Sequence, residues 1–206
     1  MTDLASEPGR IGVFGSTFNP PHTGHLVLAA EAKWRLGLDL VVVVPTGEPY
    51  HKQADLDPGP ETRFELAEAA FREEDDCEVL RLEVERPGPS HTVDTLEEVA
   101  GRYAGAELFL LLGADAALGL ENWQTPQRIL ELATVVVAPR PGIDPAEVER
   151  VCASLGAPER VVAIEMPRID ITSTLIRERV ERGEPFRHLV PQRVAEMIAD
   201  EGLYGV

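Results

Sequence analysis

GSTFNPPHTGHL, residues 15–26, is the stretch that decides the fold. A short apolar run, Ile11 to Phe14, leads into it, and an amphipathic segment ending near Gly37 leads out. The pattern is strand, loop, helix, and the glycines, prolines and hydroxyls between them suit a tight, fixed backbone path. The loop delivers His22 and His25 to the first turn of the helix, where a spacing of three puts both imidazoles on one face. A helix start also offers unpaired N–H groups and the positive end of the dipole, which suits phosphate. Two plainer readings compete: a metal pair, and a helix cap beside a surface histidine. No Cys, third His or nearby carboxylate completes a zinc site in this segment. The strand–loop–helix setting favours a phosphate-binding turn with cationic or hydrogen-bonding imidazoles.

Downstream, residues 40–44 form a valine-rich run suited to a parallel strand buried on both faces. Residues 45–60, PTGEPYHKQADLDPGP, make a long irregular segment carrying His51 and Lys52. Segments of this length in a compact domain are usually functional, and this one is expected to order when substrates bind. A helix over 61–71 carries Arg63 in its first turn, where a cation opposes the dipole and either faces solvent or binds an anion. Residues 79–84 alternate apolar with charged side chains and predict a strand near an edge. HTVDTL follows, with Thr92 as helix N-cap and the helix running to about 103. Residues 107–112 predict a strand ending in Gly113-Ala114-Asp115, where the acid either holds a ribose or caps the next helix. Trp123, in LENWQTP, is either a lid over the core or a stacking surface. A helix from 126 to 132, a strand over 134–138, a helix over 145–155 and a strand over 161–164 continue the alternation. Ile171-Thr172-Ser173-Thr174 enters a helix over 175–182, and Arg177 in its first turn adds a guanidinium to the hydroxyls and N–H groups of an anion site. A last helix spans 191–201.

Strand–helix alternation throughout predicts an α/β protein with a doubly wound, mainly parallel sheet. The chain of 206 residues predicts one domain over 1–206, with 1–10 as a loose tail. A net charge of −17, from 19 basic and 36 acidic residues, argues against nucleic acid and anionic membrane surfaces as partners. Residues 1–10 lack the apolar core of a signal peptide, no run reaches membrane-span length, and Cys77 and Cys152 stand in no zinc or CxxC spacing. These features suit two buried thiols in a reducing cytoplasm. Oligomeric state, a homo-oligomer included, is left open. The Walker and GxGxxG phosphate signatures are absent, which disfavours the common kinase and dehydrogenase routes.

His22-Thr23-Gly24-His25 resembles the HxGH signature of nucleotidylyltransferases, and ITSTLIR, residues 171–177, resembles their ISSTxxR signature. With PTGEPYHK, Arg63, HTVDTL, GAD, Trp123 and RPG between and around them, the chain is similar over almost its whole length to bacterial nicotinate-mononucleotide adenylyltransferases. It differs at Asn19, Asp in many members, at Thr172, which replaces a Ser, and at Pro126, which stands where many have Trp. The resemblance implies a Rossmann-like fold and transfer of AMP from ATP to nicotinate mononucleotide, with Mg2+ arriving on ATP. It implies ATP contacts from Gly15, Ser16, Thr17, Phe18, His22, His25, Gly113, Asp115, Ile171, Ser173, Thr174 and Arg177. It implies mononucleotide contacts from Lys52, Arg63, Thr92, Trp123 and Arg140. His22, His25, Arg177 and Lys52 would serve catalysis, with no metal ligands in the protein. Donors from Thr92 and its helix start would favour the acid over the amide mononucleotide. The alternatives are an adenylyltransferase for the amide or for phosphopantetheine, and a non-catalytic nucleotide-binding regulator.

Overall fold

The computed structural model describes residues 8–49, 56–138 and 143–205. In chain order the elements are β1 (Arg10–Ser16), α1 (Thr23–Leu36), β2 (Leu40–Pro45), α2 (Pro60–Phe71), β3 (Cys77–Val79), α3 (Leu82–Glu85) and α4 (Thr92–Arg102). Then come β4 (Glu107–Gly113), α5 (Ala114–Leu118), α6 (Pro126–Leu132), β5 (Ala133–Ala138), α7 (Pro145–Ser154), β6 (Val161–Ala163), α8 (Ser173–Glu181) and α9 (Gln192–Asp200).

The six strands form one sheet in the order β3-β2-β1-β4-β5-β6, and every pairing is parallel. The valine run shows why it is uninterrupted. Val41 and Val43 face one core with residues of α1, α2, α8 and α9, while Val42 and Val44 face a second core with residues of α4, α6 and α7. A strand buried on both faces cannot alternate with polar residues. The chain builds outward from β1 to β3, then restarts at β4 on the other side of β1. Between the C-terminal ends of β1 and β4 lies the switch point at which open α/β sheets bind ligands.

Several expectations shift. Arg10 already belongs to β1, where it pairs with Glu107 of β4, so the tail is shorter than residues 1–10. The strand expected over 79–84 is Cys77–Val79, and Leu82–Glu85 is helical instead. The alternation misled because Glu83, assigned to the wet face, is buried and accepts a hydrogen bond from the Thr95 hydroxyl at 2.7 Å. The strand does lie at an edge, as expected. In α1, where Leu26, Ala29, Ala30 and Lys33 stand at helical spacing, Ala30 is exposed while Leu28, Ala29 and Ala32 are buried. Thr92 is the first helical residue of α4 rather than its cap, which is His91. Cys77 is only half-buried, whereas Cys152 is buried, and both are free thiols. Among the described residues no helix is long and apolar enough to cross a membrane.

Candidate active site

A cleft of about 1440 Å³ opens at the switch point. Its walls come from four places: the end of β1 with the start of α1, the end of β4 with α5, the Asn122–Trp123 turn, and the segment from Met166 to Thr174. Both sequence signatures therefore meet on one cavity, although Ile171 lies 146 positions beyond His25 in the chain.

His22 is the N-cap of α1 and His25 sits in its first turn. The rings lie 3.8 Å apart between centroids, and the His22 backbone N–H donates to His25 Nδ1 at 3.1 Å. That bond needs a lone pair on Nδ1, so the neutral ring carries its proton on Nε2. Burial, with the charge of His22 as a smaller contribution, lowers the His25 pKa well below 6.5. For His25 both observations favour the neutral ring with Nε2–H as its donor. Phe18 and Phe14 hold the ring from below, with centroids 5.0 and 5.8 Å away. Gly24 leaves room for the first histidine, since a Cβ there would lie 3.0 Å from the His22 ring.

The low pKa has a consequence for stability. The unfolded chain binds a proton at His25 near pH 6.5 and the folded chain does not, so folding loses stability as pH falls below 6.5 toward the folded value. In thermal unfolding measured between about pH 7.5 and 5.5, His25→Ala should show a shallower loss than the native protein. Parallel curves would place the titration elsewhere.

The second signature does two things. Thr172 caps α8, its hydroxyl accepting from the Leu175 N–H at 3.1 Å. Ser173 Oγ donates to the Pro20 carbonyl at 2.8 Å and Arg177 Nη1 to the Asn19 carbonyl at 2.7 Å. Ser173 and Arg177 thus hold the backbone of the first signature's loop. Gly15, Ser16, Thr17, His22, His25, Gly113, Asp115, Trp123, Ile171, Ser173 and Thr174 line the cleft. Arg177 does not line it in this arrangement. Phe18 is also off the wall: fully buried, it reaches its place through a backbone φ of 49°. Thr92 is absent from the cleft wall as well.

Neither alternative weighed for Arg63 holds. It is 1% exposed, and its guanidinium donates to the carbonyls of Thr17, Thr46 and Gly47 and to Asp57. All of these bonds run to the protein, and Arg63 is not on the cleft wall. Lys52, His51 and Arg140 lie outside the described residues, as does the middle of the segment expected to order on substrate binding. Trp123 lines the cleft while packing partly against the second core.

Sequence reasoning missed the wall from Met166 to Asp170, where Arg168 pairs with Asp170 at 2.8 Å. The signal was available: the segment follows a parallel strand at its C-terminal end. Among the described residues no three His, Cys, Asp or Glu side chains group to hold a metal ion. Asp115 and Asp170 are the carboxylates on the cleft wall. Such a sparse donor set fits magnesium held mainly by phosphate oxygens and water.

A parallel sheet with paired imidazoles at a helix start on its switch point, facing a second capped helix, defines a Rossmann-like nucleotidylyltransferase fold. The chain belongs to the cytidylyltransferase-like family, whose model matches residues 13–179, and within it to the nicotinate-nucleotide adenylyltransferases. It is 42% identical over 204 residues to a probable nicotinate-nucleotide adenylyltransferase of Roseiflexus sp., covering 98% of this chain and 100% of the relative. The corresponding protein of Rubrobacter xylanophilus is 38% identical over 196 residues, covering 95% and 92%. A solved Plasmodium falciparum nicotinic acid mononucleotide adenylyltransferase, complexed with NaAD, shares the fold with a TM-score of 0.73 at 14% identity, covering 95% of this chain and 97% of that one.

Proposed function

We propose that this chain transfers AMP from ATP to nicotinate mononucleotide, giving deamido-NAD and pyrophosphate, a step of NAD biosynthesis carried out in the cytoplasm. The observation that carries this reading is end-to-end similarity to nicotinate-nucleotide adenylyltransferases, with 42% identity across the whole Roseiflexus protein.

The chemistry suits the residues on the wall. The nucleophile is a phosphate oxygen of the mononucleotide, ionised at neutral pH, so no general base is needed. It bonds to the α-phosphorus of ATP as the bond from that phosphorus to the α,β-bridging oxygen breaks, and pyrophosphate carries away the electron pair. What the protein supplies is alignment and neutralisation of growing charge. His25 donates Nε2–H from a fixed ring, His22 lies beside it, and the start of α1 adds its dipole. Thr174 and the first turn of α8 offer donors from the facing wall, with Ser173 and Arg177 keeping the intervening loop in register. Asp115 faces the cleft where a ribose would lie, and Trp123 offers a surface for the nicotinate ring. Magnesium arriving with ATP supplies neutralisation of the phosphate charge, with few or no protein ligands.

Pyrophosphate release measured with ATP and a panel of acceptors tests the reading. Nicotinate mononucleotide should give a higher kcat/KM than its amide or phosphopantetheine. Preference for either of the others would reassign the substrate, and no release with any acceptor would indicate a binding protein on this fold. Trp123→Ala should raise KM for the mononucleotide about tenfold or more, the worth of one ring stacked on an aromatic, and leave ATP less affected. Equal effects on both substrates would mark Trp123 as structural.

A further inference from the structure

Arg63 is the largest fully buried side chain among the described residues. Filling that space with a guanidinium is costly, because an apolar side chain of similar volume would pack there without losing hydration. What the guanidinium adds is a planar fork of donors at fixed angles. Its acceptors come from three separate stretches. Nη1 reaches the Thr17 carbonyl, in the loop before α1, at 3.1 Å, and also bonds the Thr46 carbonyl. Nη2 reaches the Gly47 carbonyl at 2.7 Å, so Thr46 and Gly47 are held where the chain leaves β2. Nε reaches Asp57 Oδ1 at 2.9 Å, where the same connection returns toward α2, and that carboxylate also accepts the Gly59 N–H at 3.0 Å.

We infer that Arg63 is a positioning residue for the phosphate-facing loop. One fork sets the peptide after Thr17 and holds both ends of the β2–α2 connection against it. A trans peptide carries its N–H opposite its C=O. With the Thr17 carbonyl turned back onto Arg63, the Phe18 N–H points away from Arg63, next to a residue, Thr17, that lines the cleft. Arg63 thus acts on ATP through the loop that it holds, in which Thr17 lines the cleft, and not by touching the nucleotide itself.

The inference rests on the adenylyl-transfer reading, and its test is chosen to stand apart from it. ATP binding is measured by calorimetry without acceptor, at a temperature where circular dichroism shows each variant folded. Arg63→Met fills the same volume without donors. Arg63→Lys keeps the charge but presents one nitrogen, which cannot span the three stretches. Asp57→Ala removes one of Arg63's bonds, with the Gly59 bond, at a partly exposed partner and serves if the other two are unstable. The two Arg63 variants should bind ATP about tenfold more weakly and Asp57→Ala about threefold, with kcat falling at least in proportion, because small misplacements of donors carry large penalties. A residue that only stabilises the fold would lower Tm and leave the ATP Kd of the folded protein within twofold of native. That result overturns the inference. If the native protein binds ATP but does not use nicotinate mononucleotide, the substrate assignment fails while the calorimetry still decides the role of Arg63.

Discussion

His25→Ala is expected to lower kcat by roughly 10²–10³, the usual loss for one fixed donor at a site of growing charge, with a smaller change in KM. The ring's orientation is set before substrate arrives. The His22 N–H occupies Nδ1, Phe18 and Phe14 pack beneath, and the His22 ring lies alongside at 3.8 Å. None of that order has to be established during reaction, so the Nε2–H stands ready for negative charge that grows on the phosphates only as the bond breaks. Alanine removes the donor and also the acceptor of the His22 N–H, so a second variant separates the two. His25→Asn can keep a short side-chain acceptor near the N-cap but cannot place a donor where Nε2 lies. It should be nearly as slow as alanine while recovering part of the lost thermal stability. Single-turnover measurements are needed beside steady state, since slow product release would mask a loss in the chemical step. Single-turnover rates within threefold of native in His25→Ala would remove this ring from the mechanism.

What the sequence made legible follows from how local each signal is. The strand–loop–helix at residues 11–36, the valine run and the two signatures each declare themselves within a few residues, and their order fixes a doubly wound sheet. The functions of Ser173, Arg177 and Arg63 were harder to read because their partners are backbone carbonyls far away in the chain. Arg177 binds Asn19 and Arg63 binds Thr17, and neither carbonyl leaves a mark in side-chain identity. Residue type suggested an anion as the partner in both cases, whereas in the structure both guanidiniums bond backbone carbonyls of the loop before α1. Glu83 failed for a related reason: alternation assigns a carboxylate to water, and its burial is made tolerable by partners outside the run, Thr95, Ser90, Gly47 and Arg86. Thr92 was misplaced by one residue, within the ordinary uncertainty of a helix start, but that residue carried the argument for substrate selectivity.

Gly47→Ala should be the most destabilising single methyl in the described residues. A Cβ at position 47 would lie 2.1 Å from the Glu83 carbonyl oxygen and 2.8 Å from its carbon, both backbone atoms. Relief requires one of the two backbones to move, and each is pinned. The Gly47 N–H donates to Ser90 Oγ at 3.1 Å and its carbonyl accepts from Arg63 at 2.7 Å. Glu83 is held through its buried carboxylate on Thr95, whose hydroxyl also accepts from Arg86 at 3.3 Å. Overpacking at a site that cannot yield costs about 3 kcal/mol, which for a chain of this size corresponds to a fall in Tm of roughly 6–12 °C. Gly37→Ala supplies the contrast. Gly37 ends α1 at a φ of 60°, with its N–H on the Lys33 carbonyl, and nothing lies within 4 Å of a Cβ there. Its substitution costs only the left-handed backbone, about 1 kcal/mol. Thermal or urea unfolding of the two variants therefore compares a steric clash with a conformational penalty. Because Gly47 also bonds Arg63, its variant should lose ATP affinity even where folded, while the Gly37 variant should keep it. Equal stability of the two proteins would mean that the β2–α2 connection gives way easily beside Glu83, and the rigid support assigned to the phosphate-facing loop would fall with it.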